Sequence, residues 1–209
     1  MTVIFWGLVA LVAYTYVGYP LTASLAGLLM NRRVRKGPVT PRVSVVIAAF
    51  NEAAEIEARL HQALGSRYPE NRLEVVVASD GSTDETVAIA SRVDPARVQV
   101  LDLARRGKAA APADGAGHAT GEILVFTDAN TMFDPDAVAM LARNFADPDV
   151  GGVAGRTEYV VADEAESAGR GEDLYWRYDT WLKSLETRTG SVVSAHGGIY
   201  AIRRNLFRP

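Results

Sequence analysis

Cysteine is missing from all 209 residues, so neither a disulfide framework nor a thiolate zinc site is available to this chain. Histidine is nearly missing: His61, His118 and His196 are scattered, without the HExxH-type spacing of metal ligands. Positive charge is not in excess, the formal net charge being -3 at pH 7, which argues against a nucleic-acid partner, since such domains carry a basic face. Glycine-rich phosphate loops fail on spacing. Gly107-Lys108 has neither the earlier glycine nor the following Ser or Thr of a P-loop. Gly115, Gly117 and Gly121 do not follow a strand and end on the wrong interval for a dinucleotide fingerprint.

The most local absence is that of charge from Val3 to Met30. An apolar run longer than the roughly 20 residues that cross a bilayer predicts a transmembrane anchor over residues 1–31. Trp6, Tyr14, Tyr16 and Tyr19 suit interface or bundle-facing aromatics, and Pro20 predicts a kink, or a split into a span and an interfacial segment. A cleaved signal peptide fits poorly, because its positive n-region and A-x-A-like cleavage site are missing and the run is too long. Arg32, Arg33, Arg35 and Lys36 follow at once, and a basic cluster beside a span marks the cytoplasmic side of an inner membrane. Gly37-Pro-Val-Thr-Pro41 completes a linker over residues 32–41. With 48% hydrophobic and 22% charged residues overall, the remaining 42–209 has enough apolar surface for one sizeable core.

That core is predicted to be α/β. Val43-Ser-Val-Val-Ile-Ala-Ala49, Leu73-Glu-Val-Val-Val-Ala78 and Ile123-Leu-Val-Phe126 are short apolar runs rich in β-branched residues, the pattern of strands buried on both faces of a mostly parallel sheet. Val98-Gln-Val-Leu101 is a shorter strand nearer the edge. After Glu52 the period changes, and Ile56, Leu60 and Leu64 predict an amphipathic helix stopped by Gly65, which opens a βαβ unit. Ser82, Thr83 or Asp84 caps the next helix, through Val87 and Ile89. The alanine-rich stretch to Ala119 is helical in composition but interrupted by Pro112, Gly115 and Gly117. Pro135 to Phe145 predicts a helix, Val150–Gly155 a β-like segment closely approached by another backbone or a ligand, and 156–170 a surface loop. Leu174, Tyr178, Trp181 and Leu185, with Tyr175 and Trp176 beside them, predict a helix packed into the core. Ser191 to Ile202 reads as strand, His-Gly-Gly turn, strand.

The chemistry gathers where the apolar runs stop. Ligands bind open α/β sheets at the carboxyl ends of their strands. Asp80 ends one run and can accept hydrogen bonds from a base or ribose, or simply cap a helix. Asp128 and Asn130 end another, and two oxygen donors two residues apart on extended backbone can hold a hard divalent cation, which in turn holds a diphosphate. The expectation is that Asp80 and Asp128 stand at the tips of neighbouring strands and converge on one cleft. Lys108 is either a cation suited to approach a phosphate or a solvated surface lysine.

In this order, Val45-Val-Ile-Ala-Ala-Phe-Asn-Glu52, Ala78-Ser-Asp-Gly-Ser-Thr-Asp84, Thr127-Asp-Ala-Asn-Thr131 and the late Gly197-Gly198 with Arg203-Arg204 resemble family 2 glycosyltransferases, the inverting GT-A group. The nearest likeness is to the membrane-anchored processive branch of cellulose, hyaluronan and poly-N-acetylglucosamine synthases. The resemblance runs from Pro41 to Pro209. It implies a Rossmann-like GT-A fold, a nucleotide-sugar donor, most often a UDP-sugar, Mg2+ or Mn2+, and a glycan or lipid-linked acceptor. Phe50 and Glu52 would line the nucleobase pocket, Asp80 would contact base or ribose, and Lys108 would lie near the nucleotide. Asp128 with Asn130 would hold the metal on the diphosphate, and His196, Gly197 and Gly198 would border the sugars.

The departures from the family pattern are specific. Asn130 replaces the second acid of Asp-x-Asp, and Ala113-Asp114 stands where the family often has Asn. The carboxylate that deprotonates the acceptor follows the Gly-Gly and Arg-Arg segment in the family, so the general base is expected beyond Pro209; Glu172-Asp173 precedes that segment and has the wrong order. The chain is therefore expected to be the amino-terminal part of a longer enzyme. A non-catalytic nucleotide-sugar-binding module is the alternative. A nucleotidyltransferase is disfavoured, since Ala48-Ala-Phe-Asn-Glu52 offers no glycine-rich activating loop.

Overall fold

Apolar runs buried on both faces need helices on both sides, and this requirement shapes the fold. The computed structural model describes residues 1–107, 109–156, 167–192 and 198–208, with backbone alone for 167–176. The chain divides into two compact units, Met1–Arg33 with Glu158–Ser194, and Val34–Thr157 with Ala195–Pro209.

The second unit carries the sheet. Its strands are β1 (Val43–Ala49), β2 (Leu73–Asp80), β3 (Val98–Leu103), β4 (Ile123–Asp128), β5 (Gly152–Ala154) and β6 (Ile199–Arg203), in the order β3-β2-β1-β4-β6-β5. β1 pairs in parallel with β2 and β4, and β2 with β3; β6 runs antiparallel to β4 and β5. β3 is an edge strand, as its shorter run predicts. Because neighbours along a strand point to opposite faces, Val45 and Val46 feed two cores. Val45, Ile47, Val75, Val77 and Val125 meet Ile56, Leu60, Ala63, Ala90, Val138 and Leu141 on one face. Those partners come from α3 (Ile56–Leu64), α4 (Thr86–Ala90) and α6 (Ala137–Ala142). Val46, Val76, Leu124 and Phe126 meet Ala116 and Ala119 on the other.

That second cover is α5 (Ala110–His118), a regular helix despite Pro112, Gly115 and Gly117. Pro112 falls in the first turn, where a backbone N–H has no intrahelical acceptor to lose. Gly115 is what lets the helix lie on the sheet, since a Cβ there would meet Val46 Cγ1 at 2.6 Å. What reads as interruption is a helix start followed by a close crossing.

Other boundaries shift for local reasons. Asp134 accepts the Asp136 N–H at 2.8 Å, so α6 begins at Ala137 rather than at Pro135, and a 3-10 turn over Arg143–Ala146 carries Phe145 into the core. The glycine segment forms β5, and Gly155 lies against Ile199 with no space for a side chain, as the expected close approach requires. Of the predicted strand-turn-strand only β6 falls in the described residues. In the linker, the Arg35 N–H donates to Asp147 at 3.0 Å and Pro41 O accepts from the Tyr68 hydroxyl at 2.6 Å.

In the first unit, α1 (Thr2–Ala13) and α2 (Tyr19–Met30) are joined by a π-helical turn, Tyr14–Gly18, into one helix of 29 residues. Pro20 therefore neither ends nor splits it. The wider π-turn lies where the proline ring would crowd a regular helix, and removes the need for a break. The large apolar side chains of α1 are exposed, Phe5, Trp6, Leu8 and Leu11 among them. α2 instead packs on α7 (Ser167–Thr189), with Gly27 against the Arg188 side chain and the Tyr19 hydroxyl donating to Glu186 at 2.6 Å. The start of α7 turns Ser167–Arg170 of the expected loop into helix. Among the described residues of its stripe, Leu185 is buried, Trp181 is 47% exposed, and Tyr178 donates to Tyr16 O at 3.4 Å. The side chains of Leu174, Tyr175 and Trp176 lie outside the described residues.

Candidate functional site

Parallel pairing brings the ends of β1, β2 and β4 out at one edge. Chain order runs outward from β1 to β3 and then returns to β4 on the other side of β1, so a topological switch point lies between β1 and β4. Asp80 and Asp128 both stand at this edge but not on neighbouring strands. β1 separates them, which at about 4.8 Å per strand sets their backbones roughly 10 Å apart.

The β2 tip is held from outside the sheet. Asp80 is 7% exposed, and its carboxylate accepts the Arg106 N–H at 2.7 Å and the Gly107 N–H at 2.9 Å. It therefore fastens the loop after β3, the loop that leads into Lys108, while a carboxylate's roughly four acceptor sites leave capacity for a ligand donor. Gly81 makes this possible. Its φ is +69°, and a Cβ there would sit 2.9 Å from both the Arg105 N and Cβ. The Arg105 guanidinium then lies over the Phe50 ring, 3.8 Å from its centroid. Asp114, at the position where an Asn was expected, pairs with Arg106 in the same loop and helix.

The β1 tip is laced to β2. Asn51 adopts φ 54°, and its side-chain oxygen accepts the Thr83 N–H at 2.8 Å. Asp84, one residue before the Glu85 N-cap of α4, accepts the Thr86 N–H at 3.0 Å and the Ala53 N–H at 3.2 Å. The Glu52 carboxyl is pushed above its ordinary range, first by burial, then by the charge and hydrogen bond of Glu55, and then by the charges of Asp128 and Asp84. Negative potential therefore accumulates at this edge.

At the β4 tip, Thr127 and Ala129 are buried, Asp128 is half-buried and Asn130 is exposed. The alternation turns Asp128 and Asn130 away from the side occupied by Ala129. Among the described residues no three His, Cys, Asp or Glu side chains group closely enough to hold an ion alone. That donor set suits a cation such as Mg2+, which takes one or two protein carboxylates and completes its shell with substrate phosphates and water. Asp128 and Asn130 fit a shared site of this kind. Gly198 comes to the same strand end, its carbonyl accepting the Thr127 hydroxyl at 2.9 Å. Lys108, His196 and Gly197 lie outside the described residues.

Three residues escaped the sequence reading. Tyr200 stacks on Phe126 with centroids 5.0 Å apart, and burial, then the Asp128 charge, raise its phenol. Arg105 covers Phe50. Arg59 is fully buried behind β4. For Arg59 a signal existed: it falls three residues after Ile56 and one before Leu60, on the apolar stripe of α3, where a charged residue should not be.

The family model described as glycosyl transferase family 2 matches residues 44–208. An N-acetylglucosaminyltransferase of Azorhizobium caulinodans is 29% identical over 179 residues, 82% of this chain and 44% of that protein. A poly-beta-1,6-N-acetyl-D-glucosamine synthase of Staphylococcus aureus is 31% identical over 159 residues, 74% of this chain and 38% of that protein. The chain thus spans less than half the length of these curated relatives. Among solved structures, a mannosyltransferase from Pyrobaculum calidifontis in complex with GDP-Man and Mn2+ superposes with a TM-score of 0.73 at 30% identity, covering 95% of this chain and 55% of that one.

Proposed function

This chain belongs to glycosyl transferase family 2, and on that premise we propose that its sheet edge binds a nucleotide sugar, a UDP-sugar in particular, for inverting transfer to a glycan or lipid-linked acceptor. The observation that carries this reading is the shared edge of Asp80 and Asp128 on either side of β1.

Phe50 offers an aromatic face to the base, with Arg105 moving aside or stacking beyond it. Asp80 offers acceptor oxygens to base or ribose, and Lys108 a cation to the phosphates. Asp128 and Asn130 hold Mg2+ or Mn2+, and Gly198, with His196 and Gly197, borders the sugars. When bound, the ion offsets the charge that develops on the departing diphosphate. The protein residues position this charge and leave the opposite face of the anomeric carbon to the acceptor.

We place the sheet unit at the cytoplasmic face of the inner membrane. Support comes from the Thr2–Met30 helix, long and apolar enough to span, and from Arg32, Arg33, Arg35 and Lys36 after it. At about 1.5 Å per residue its 29 residues reach about 43 Å, enough for a tilted crossing.

Calorimetry with UDP tests the reading. Binding is expected to strengthen with Mn2+, and Asp128→Ala is expected to abolish the Mn2+-dependent part alone. Unchanged nucleotide affinity in Asp128→Ala with Mn2+ present overturns the metal assignment.

A further inference from the structure

Arg59 has no surface to serve. Its residue is 0% exposed, on the sheet-facing side of α3 beside Ile56, Leu60 and Ala63. Burial lowers its guanidinium to about 10, which leaves it a cation at neutral pH. A buried cation is tolerated only when its donors find acceptors, and their identity shows what it organises.

Four partners converge. Nη2 donates to Thr127 Oγ1 at 3.0 Å, and Nε points at the Asp128 carbonyl at 3.4 Å. Nη1 donates to Gln62 Oε1, and Gln62 Nε2 donates in turn to Phe133 O at 2.5 Å. The plane of the guanidinium lies over the Phe133 ring, 4.2 Å from its centroid. The Thr127 hydroxyl donates in turn to Gly198 O at 2.9 Å. One side chain thus ties the last two residues of β4, the segment after it as far as Phe133, and the start of β6 to helix α3. The same guanidinium fixes the strand end that bears Asp128 and the approach that bears Gly198.

We infer that Arg59 is a positioning residue: it holds the end of β4 so that the Asp128 carboxylate meets the metal-diphosphate, and through the Thr127 hydroxyl it sets where Gly198 lies. It touches neither donor nor ion. This inference rests on the metal-nucleotide reading of the Asp128 edge given above.

The test uses the whole chain in detergent and two substitutions. Arg59→Met keeps the stem and removes the donors. Thr127→Val keeps the shape of Thr127 and removes its hydroxyl bridge, so it serves if Arg59→Met fails to fold. Mn2+ affinity in the presence of UDP is read from the spin-resonance signal of free Mn2+, and UDP affinity in EDTA is read by calorimetry. Outer-shell partners of metal ligands typically change metal affinity by about 10–100-fold, and a loss in that range is expected for Arg59→Met. Thr127→Val is expected to lose part of it, and Arg59→Lys to recover part. UDP affinity in EDTA should stay within about threefold of the unmodified protein, because Phe50 follows β1 and Asp80 ends β2. Equal losses with and without Mn2+, or Mn2+ affinity within twofold in variants that still melt cooperatively, overturn the role of Arg59. If the unmodified chain itself shows no Mn2+-linked UDP binding, the reading of the edge falls first and this inference with it.

Discussion

Gly81→Ala is the substitution from which the structure yields the most. An alanine at φ +69° carries about 1–2 kcal/mol of left-handed strain. Its Cβ would also sit 2.9 Å from the Arg105 N and Cβ, so the loop after β3 must retreat by a few tenths of an ångström. The bonds that retreat strains are those of the Arg106 and Gly107 N–H groups to Asp80, at 2.7 and 2.9 Å. Hydrogen bonds to charged groups contribute about 1.5–3 kcal/mol each, and partial loss of one brings the total to about 2–4 kcal/mol. For a unit of this size that is a melting shift of about 5–15 °C. Gly107→Ala is the internal control. Its φ is +98°, but nothing lies within 4 Å of its Cβ, so strain of about 1–2 kcal/mol is its whole cost. Scanning calorimetry should therefore rank Gly81→Ala well below Gly107→Ala, and UDP affinity should fall further in Gly81→Ala, because the Arg105 loop covers Phe50. Equal melting shifts and equal affinities would refute the close approach as the reason for Gly81.

Further outcomes follow from the same contacts. The Glu52 carboxyl is raised above its ordinary 4.5, so its stabilising contribution is complete below 4.5 and is lost as pH rises through the raised value. Glu52→Gln should therefore stabilise the chain at pH 7 and narrow that gain near pH 4 in thermal melts; a gain independent of pH contradicts this. Asp147 is the opposite case: the Arg35 backbone N–H, then that of Asp149, holds its carboxyl below 3.8, so its contribution is present above 3.8 and is lost as pH falls through the lowered value. Asp147→Asn should remove that part of the acid sensitivity in pH-jump unfolding. Removing residues 1–30 should move the protein from the floating to the soluble fraction of a membrane flotation gradient, and continued flotation would contradict the anchor.

Much of the sheet was legible because β1, β2 and β4 are buried on both faces, and a strand with no exposed side writes itself as a continuous apolar run. The shorter β3 at the edge was legible for the converse reason. What failed depended on relations between segments. Pro112 and Gly115 look hostile to a helix until the first-turn position of one and the Val46 crossing of the other are known. The π-turn that accommodates Pro20 leaves no compositional mark. The place of β1 between Asp80 and Asp128 is a matter of strand order, which local pattern does not encode. Leu174, Tyr178, Trp181 and Leu185 have the spacing of a core helix, yet of the described part of that stripe Leu185 is buried while Trp181 is 47% exposed and Tyr178 donates to Tyr16 O. At the site, acidic strand ends were visible as abrupt stops of apolar runs, whereas Arg59, more buried than most of the leucines, left only the weaker signal of a charge on the apolar stripe of α3.

The central claim is that the β1, β2 and β4 tips form one metal-nucleotide cleft. Crystals of the protein grown with UDP and Mn2+, measured at the manganese absorption edge, test it most directly. The account predicts an anomalous peak within coordinating distance of the Asp128 carboxylate, with the diphosphate beside it and the uracil toward Phe50 and Asp80. A manganese peak away from Asp128, or a nucleotide bound on the opposite edge of the sheet, would contradict it.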